Sequence, residues 1–329
     1  MVGKKLGYNI RIKAEKVNVE VKNEYLEIAK RADDAGIYYL AFPEFFARFD
    51  PNRLHVVPYM AAIAARTEHA KLGTDVLEIP LLHPKHIADI GSSLDIISEG
   101  RFILGAGLGV NPAEFENFGV PWKERGKRTD EALDIIKKLW TEPAIYDYRG
   151  KFFTLRNVCS PPCVQKPHPP IWVGGGSDAA LRRTAQYGNE WAPSVWMEGL
   201  EEGWNTEERL EKLREYCKKF GRELVLGREP KGPKEVGYNQ RINVNINPDR
   251  EKAVEEVSHF WVDVRKGRSQ GVASLETKLR YAAVGDAETV IEKLKGVYDT
   301  GVYLVTLYPL STDSKTQWER IEKEVLPSL

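Results

Sequence analysis

Three successive glycines followed by a serine, Gly174-Gly175-Gly176-Ser177, have the clearest chemical use in this sequence. They stand between a short apolar run, "PIWV", and a helical pattern, "SDAALRRTAQYG". Glycine lets a backbone approach a ligand closely and adopt positive φ, and Ser177 is suited to cap the helix that follows. The N–H groups at such a helix start favour an anion, above all a phosphate. The structural alternative is a tight turn that serine merely caps.

A second glycine segment, "LGAGLGVNP", follows another apolar run and contains Gly105, Gly107 and Gly109. It lacks the further glycine and the acidic residue of a dinucleotide-binding fingerprint. Gly107 and Gly109 therefore leave room either for a large flat ligand or for close packing inside the fold.

Titratable and polar candidates are few. Glu44 ends an apolar run, where it would orient a ligand or form an ion pair at the rim of the fold. His83 and His86 lie in "HPKH" at a helix start. No third ligand accompanies them, so we expect no metal site, and His83 is kept only as a candidate for proton transfer. Asn9 follows the first strand and is a candidate polar contact to a ligand.

Aromatic residues near these positions indicate a partly apolar substrate. Phe45, Phe46 and Phe49 follow Glu44 closely and would form a hydrophobic wall, with ordinary packing as the alternative. Trp196 follows the predicted sixth strand and would line the same pocket or lie at its rim.

The elements that must position these residues alternate along the chain, each apolar run being followed by a helical pattern. The predicted strands are "KLGYNIRI", "YYLAF", "KLGTDVLEI", "RFILGAGLG", "PIWVGGG", "EWAPSV", "RINVNI" and "VYLVTLYPL". Strands without strict polar alternation are typical of a parallel sheet that is buried on both faces. Repeated βα units of this number favour an α/β fold of the (β/α)8 TIM barrel type, with a doubly wound open sheet as the rival.

Residues 1–329 are expected to form a single domain. Two irregular regions, near residues 141–169 and 265–284, interrupt the alternation. Since function in this architecture lies on the βα loops, we expect both regions to be insertions there that cover the active site. The first contains a predicted hairpin around Arg149-Gly150.

Composition excludes several classes of protein. Lys and Arg together number 48, as do Asp and Glu, which disfavours binding to nucleic acid or to a membrane surface. No apolar stretch reaches the ~18 residues that a membrane span needs, and the start of the sequence has no apolar secretion segment. Three scattered cysteines make no disulfide framework, so we expect a cytoplasmic protein whose partner is a small-molecule substrate.

The sequence resembles the superfamily of bacterial luciferase-like monooxygenases and F420-dependent oxidoreductases. Four segments carry the resemblance in the family's order and span nearly the whole chain: "LGTDVLEIPLLHPKHIADIGSSLDIISEGR", "GRFILGAGLGVNPAEFENFGVPWKERGKRTDEALDIIKKLW", "PPCVQKPHPPIWVGGGSDAALRRTAQYGNEW" and "VGDAETVIEKLKGVYDTGVYLVTL".

The resemblance implies a TIM barrel that binds FMN or its deazaflavin relative, coenzyme F420, at the carboxyl ends of the strands, in a protein that is often a homodimer. It also implies a role for nine positions: Thr74, Asp75 and Val76 under the ring, with a non-proline cis peptide at Asp75–Val76; Gly107 and Gly109 along the ring; and Gly174, Gly175, Gly176 and Ser177 around the phosphate.

Two departures from the family pattern concern the reaction. Many relatives carry a histidine after the acid, where this chain has Phe45 after Glu44. Val110 stands where the F420-dependent sugar-phosphate and alcohol dehydrogenases place a glutamate. Without that acid and base an alcohol-oxidising dehydrogenase is disfavoured, and a hydride-transfer enzyme resembling the methylenetetrahydromethanopterin reductases is favoured.

Several alternatives stay open. Richness in Lys and Glu is typical of thermophiles and inclines the choice of coenzyme to F420 over FMN. The other readings are an FMN-dependent monooxygenase, a catalytically silent flavin-binding protein, and an unrelated barrel whose glycine turn binds a substrate phosphate.

Overall fold

A computed structural model describes residues 3–11, 17–44, 54–193, 205–263 and 274–329, with the backbone alone for residues 146 and 259–263. Its strands are β1 (Lys5–Asn9), β2 (Tyr39–Phe42), β3 (Lys71–Thr74), β4 (Leu77–Glu78), β5 (Phe102–Gly107), β6 (Ile145–Arg149), β7 (Thr154–Val158), β8 (Ile171–Val173), β9 (Glu190–Trp191), β10 (Glu223–Leu224), β11 (Glu235–Tyr238), β12 (Gln240–Ile246), β13 (Ala282–Gly285) and β14 (Leu304–Pro309). Its helices are α1 (Val19–Asp34), α2 (Val56–Ala64), α3 (Pro84–Ile97), α4 (Pro112–Asn117), α5 (Arg125–Thr141), α6 (Asp178–Tyr187), α7 (Thr206–Lys219), α8 (Arg250–Asp263), α9 (Leu275–Arg280), α10 (Ala287–Tyr298) and α11 (Ser314–Arg320).

The main sheet is parallel and runs in the order β10-β11-β9-β8-β5-β3-β2-β1-β14-β12-β13, with β4 paired to β5. It curls into a half-barrel, as the right-handed twist of successive strands leads a parallel sheet to do. All eight predicted strands are present. The sequence analysis missed the short strands β10, β11 and β13.

Both faces of the sheet are buried, which explains the continuous apolar runs. In β2, Leu40 and Phe42 join the large core between the strands and the helices, whereas Tyr39 and Ala41 join a smaller inner cluster. Trp172 of β8 and Leu304 of β14 belong to the same inner cluster. Side chains of a strand point alternately to its two faces, so both faces need apolar residues.

Helices cover the outer face at close range. The stripe predicted on α5 is confirmed, because Leu133, Ile136 and Trp140 are all buried. The Trp140 indole N–H donates to the carbonyl of Ala88, 3.0 Å away in α3. A Cβ at Gly91 would lie 2.5 Å from the Trp140 ring, so only glycine permits this contact.

The expectation that residues 141–169 form an insertion in a βα loop is wrong. This region joins α5 to β8, so it is an αβ connection, and the predicted hairpin, β6 and β7, lies against α5. The carboxylate of Glu131 accepts hydrogen bonds from the backbone of Lys151, Phe152 and Phe153 at 3.0–3.1 Å. The hairpin therefore braces the outer layer instead of covering the site.

The second irregular region, 265–284, contains α9 and β13, and β13 extends the sheet by pairing with β12. Residues 264–273 lie outside the described part of the chain, so the proposed cover over the site is untested there.

Candidate active site

The glycine turn lies where β8 ends and α6 begins, at the carboxyl edge of the sheet. Gly175 has a φ of +90°, which favours glycine strongly, and it is exposed. Ser177 caps α6 as predicted, its Oγ accepting from the Ala180 amide at 3.3 Å. Among the described residues no acceptor is bonded to the amide N–H groups of Gly175, Gly176 or Ser177. The turn therefore offers several free donors at a helix N-terminus, which is the donor set for a phosphate.

The carbonyl groups of the same turn are held by side chains from two neighbouring elements. The Trp191 indole N–H donates to the carbonyl of Gly175 at 2.7 Å. The guanidinium of Arg209, on α7, donates to the carbonyl of Gly176. Side chains therefore occupy the carbonyls of the turn, its amides have no described acceptor, and Arg209 adds a positive charge beside them.

The end of β3 forms a bulge with the cis peptide bond expected between Asp75 and Val76. The Thr74 hydroxyl replaces part of the ladder between β3 and β5, since it donates to the carbonyl of Gly105 and accepts from the Gly105 amide, both at 2.9 Å. This is the segment that the family resemblance places under the coenzyme ring.

Glycines opposite the bulge are required by packing. A Cβ at Gly105 would lie 1.8 Å from the Thr74 carbonyl oxygen, and one at Gly107 would lie 2.3 Å from Cγ2 of Val76. Gly107 is thus needed so that the Val76 side chain can pack against the strand, which supports the packing explanation for this glycine. Gly109, with a φ of +73°, lies beside Phe115.

A charged group that the sequence analysis missed lies inside the curl of the sheet, at the level of the bulge. Nη1 of Arg241 (β12) is 2.6 Å from the carboxylate of Asp75, which also accepts from the hydroxyl of Tyr308 (β14). Nη2 of Arg241 donates to the carbonyl of Ala192 at 3.0 Å. We name Asp75, Arg241 and Tyr308 the floor triad.

The floor triad is largely buried. Burial raises the pKa of the Asp75 carboxyl above its ordinary value, while Arg241 and Tyr308 act in the opposite direction. Burial lowers the pKa of Arg241, but the Asp75 carboxylate outweighs it, so the guanidinium keeps its proton. Burial and Asp75 together raise the pKa of Tyr308, which stays a hydroxyl and a donor.

The other predicted site residues have mainly local contacts. The buried carboxylate of Glu44 accepts from the Val56 amide at the start of α2, at 3.3 Å. The side-chain amide of Asn9 donates from Nδ2 to the carbonyl of Ala41 at 3.3 Å, which links β1 to β2. The His83 imidazole caps α3 by accepting from the Lys85 amide at 3.2 Å. The structure therefore does not bring Glu44, Asn9 and His83 together through any hydrogen bond described between them.

Some predicted features lie outside the described residues, namely Phe45, Phe46, Phe49 and Trp196. In the part of the chain that is described, no three His, Cys, Asp or Glu side chains come together in a way that could hold a metal ion. No described helix is both long enough and apolar enough to cross a membrane.

A family model described as luciferase-like monooxygenase matches residues 8–304. The chain belongs to this family. Among curated members, the oxygenase component of the flavin-dependent trigonelline monooxygenase of Acinetobacter baylyi is 25% identical, over 97% of this chain and 92% of that protein. The F420-dependent glucose-6-phosphate dehydrogenase of Gordonia bronchialis is 23% identical, over 93% of each.

Solved structures confirm that the luciferase-like fold extends along the whole chain. A monooxygenase from Streptomyces bottropensis matches with a TM-score of 0.79 at 21% identity, covering 98% of this chain and 99% of that one. The F420-dependent tetrahydromethanopterin reductase of Methanopyrus kandleri matches with a TM-score of 0.72 at 18% identity, covering 99% of each. The family thus includes both F420-dependent and flavin-dependent oxidoreductases, as the sequence predicted.

Proposed function

We propose that this protein is an oxidoreductase that binds F420 or FMN at the carboxyl edge of its sheet and transfers a hydride to or from a small, partly apolar substrate. The observation that carries the proposal is the turn from Gly174 to Ser177. Its amides without a described acceptor, a φ of +90° at Gly175 and the adjacent Arg209 suit a phosphate. Both coenzymes carry a phosphate and a tricyclic ring, and both occur among the relatives.

In this proposal the protein binds and orients the coenzyme and the substrate, and the coenzyme when bound supplies the redox chemistry. The amides of Gly175, Gly176 and Ser177 would hold the phosphate. Thr74, Asp75 and Val76 would support the ring, and Gly109 would lie along it. Val110, with 60% of its surface exposed, is the apolar neighbour of that segment and stands where the dehydrogenases have an acid. This favours a hydride transfer that needs no hydroxyl proton to be removed.

Glu44 stays a candidate for a catalytic role because it keeps the acid of the family pattern after β2, and His83 stays a candidate for proton transfer from its place in the segment HPKH. Asn9 stays a candidate for a polar contact at the end of β1. Their observed contacts support helix capping for Glu44 and His83 and strand pairing for Asn9. A catalytic role for either titratable residue would appear as a loss of turnover in Glu44→Gln or His83→Gln with coenzyme affinity retained.

We also propose that the half-barrel is closed into a single (β/α)8 domain. The support is that β11 pairs with β9, that β12 pairs with β14, and that Asn239 alone separates β11 from β12. The Asn239 amide continues the ladder to the carbonyl of Trp191 at 3.1 Å.

For assembly and location we propose a homodimer in a reducing compartment such as the cytoplasm. Ile96 and Ile97 at the end of α3, each 46% exposed, offer apolar surface for a second copy, and Cys159, Cys163 and Cys217 are free thiols. A monomeric mass by light scattering would contradict the dimer.

The test of the coenzyme site is titration of the purified protein with FMN and with F420, followed by absorbance and fluorescence. Gly175→Leu should weaken binding by about 100-fold, which is about 2.7 kcal/mol and corresponds to one or two charge-assisted hydrogen bonds.

The matched control is Gly36→Leu, because Gly36 has a φ of +84° and no neighbour within 4 Å, so it carries similar backbone strain far from the turn. Unchanged affinity in Gly175→Leu, or an equal loss in both variants, would refute the phosphate assignment. The coenzyme that binds the wild type more tightly identifies the branch of the family.

A further inference from the structure

Arg241 brings to the floor triad a buried donor, its Nε–H, that has no acceptor in the described part of the chain. A guanidinium carries five N–H groups, and Arg241 directs Nη1 to Asp75 and Nη2 to the carbonyl of Ala192. Its Nε is buried and has no hydrogen-bond partner among the described residues. Buried N–H groups in folded proteins nearly always have an acceptor, so this donor indicates a missing one.

The floor triad adjoins the cis bulge, because Asp75 belongs to both. Side chains of the inner cluster such as Tyr39 and Leu304 are exposed by only 1% and 0%. The Arg241 side chain, by contrast, keeps 14% of its surface exposed. Arg241 is therefore partly exposed and contacts the bulge on which the proposed function places the coenzyme ring.

We propose that Arg241 donates its Nε–H to the polar edge of the bound coenzyme ring, and that its charge, set by the pairing with Asp75, stabilises the reduced ring over the oxidised one. This rests on the proposed function and assigns an electrostatic role to a residue outside the family motifs quoted above. A hydride adds two electrons and one proton to the ring, so the reduced ring is more negative by one charge until a second proton follows. In a largely buried site a guanidinium stabilises this added negative charge strongly.

The role of Asp75 follows from the same geometry. Its carboxylate lies 2.6 Å from Arg241 and neutralises much of the positive charge. Loss of Arg241 should therefore weaken binding of the reduced coenzyme relative to the oxidised one. Loss of the charge on Asp75 should do the reverse. A purely structural role would move both variants in the same direction or neither.

The experiment measures dissociation constants for oxidised and reduced coenzyme, and the reduction potential of the bound coenzyme, in the full-length protein. Arg241→Gln should lower the preference for the reduced form about tenfold, a fall of about 30 mV in potential for a two-electron couple. Asp75→Asn should raise that preference by a similar factor, and Arg241→Lys should stay closer to the wild type.

The matched control is Arg222→Gln. Arg222 is likewise a half-buried guanidinium, but it donates to the carbonyls of Ala185 and Gly188 on the outer layer. It should lose stability without changing the preference for the reduced form. If Arg241→Gln leaves Asp75 unpaired and does not fold, Asp75→Asn alone decides, because the upward shift is required of it.

Equal preference in the wild type and in Asp75→Asn, or shifts of the same sign in Asp75→Asn and Arg241→Gln, would overturn the inference while the coenzyme site stands. Failure of the wild type to bind either coenzyme would overturn the proposed function itself, and the inference with it.

Discussion

Replacing Gly107 by alanine tests what the glycines of β5 do. The added methyl would lie 2.3 Å from Cγ2 of Val76 and 3.3 Å from its Cβ. Carbon atoms in contact prefer about 3.5–4.0 Å. The obstacle is the side chain of Val76, so the double variant Gly107→Ala/Val76→Ala should accept the new methyl. If instead Gly107 is needed because a coenzyme ring approaches it, shortening Val76 will not help binding.

The magnitudes follow from the packing. Overpacking of this severity should lower the free energy of unfolding by about 3 kcal/mol in Gly107→Ala. Val76 is half-buried, so Val76→Ala should cost about 1 kcal/mol, less than full burial of two carbons would give. The double variant should also lose about 1 kcal/mol, a coupling of about 3 kcal/mol between neighbours in contact.

The assay is urea unfolding of the wild type, both single variants and the double variant, with coenzyme titration in parallel. Gly105→Ala is the comparison that Val76→Ala should not rescue, because the Thr74 backbone is the obstacle there. Gly296→Ala, inside α10 with no neighbour within 4 Å, controls for the change from glycine to alanine and should be neutral or slightly stabilising.

One outcome would refute this reasoning, and another would extend it. If the losses in the double variant simply add, Gly107 does not serve Val76. If the double variant regains stability but binds coenzyme far more weakly than Val76→Ala alone, the absence of a side chain at position 107 also serves the ring.

Two further predictions concern charge. Burial raises the pKa of Glu190 to about 7, against hydrogen bonds from Tyr303 and Asn239. The folded protein then holds a proton that the unfolded chain releases near 4.5, so the free energy of unfolding should fall by about 3 kcal/mol as the pH rises through this interval. In urea titrations at several pH values, Glu190→Gln should abolish this pH dependence of the unfolding free energy. An unchanged pH dependence would contradict the assignment to Glu190. Arg209→Gln should weaken coenzyme binding several-fold and flatten its dependence on salt, whereas Lys212→Gln, whose ammonium is paired with Asp178 at 3.1 Å, should change little. Equal effects of the two substitutions would show that Arg209 contributes only general positive charge.

Much of the fold was predictable because its signals are local. The stripe on α5 needs only helical periodicity, and the hairpin at Arg149-Gly150 only a turn between two β-like segments. The Ser177 cap depends on residues three positions apart. Each of these follows from the residues within one element and was confirmed by the structure.

The floor triad could not be predicted in this way. Arg241 and Asp75 are separated by 166 positions, and Tyr308 is 233 positions from Asp75. The available signal was a polar residue at an inward position of an apolar strand, as Arg241 is in "RINVNI", and the matching inward position of Tyr308 in "VYLVTLYPL". Pairing them requires the order of the strands, which no single segment contains. The error about residues 141–169 has a similar cause, since length alone does not say whether a connection follows a strand or a helix.

The divergence of β12 from β9 has a consequence for how these two strands are held together. Before Asn239, the backbone of β11 pairs with β9. After Asn239, β12 pairs with β13 and β14 instead, and the Arg241 guanidinium donates to the carbonyl of Ala192, just after β9. At this point a side chain, and not the backbone, links β12 to the end of β9. A substitution at position 241 would therefore remove this side-chain link between β12 and the end of β9 while every main-chain ladder stays in place.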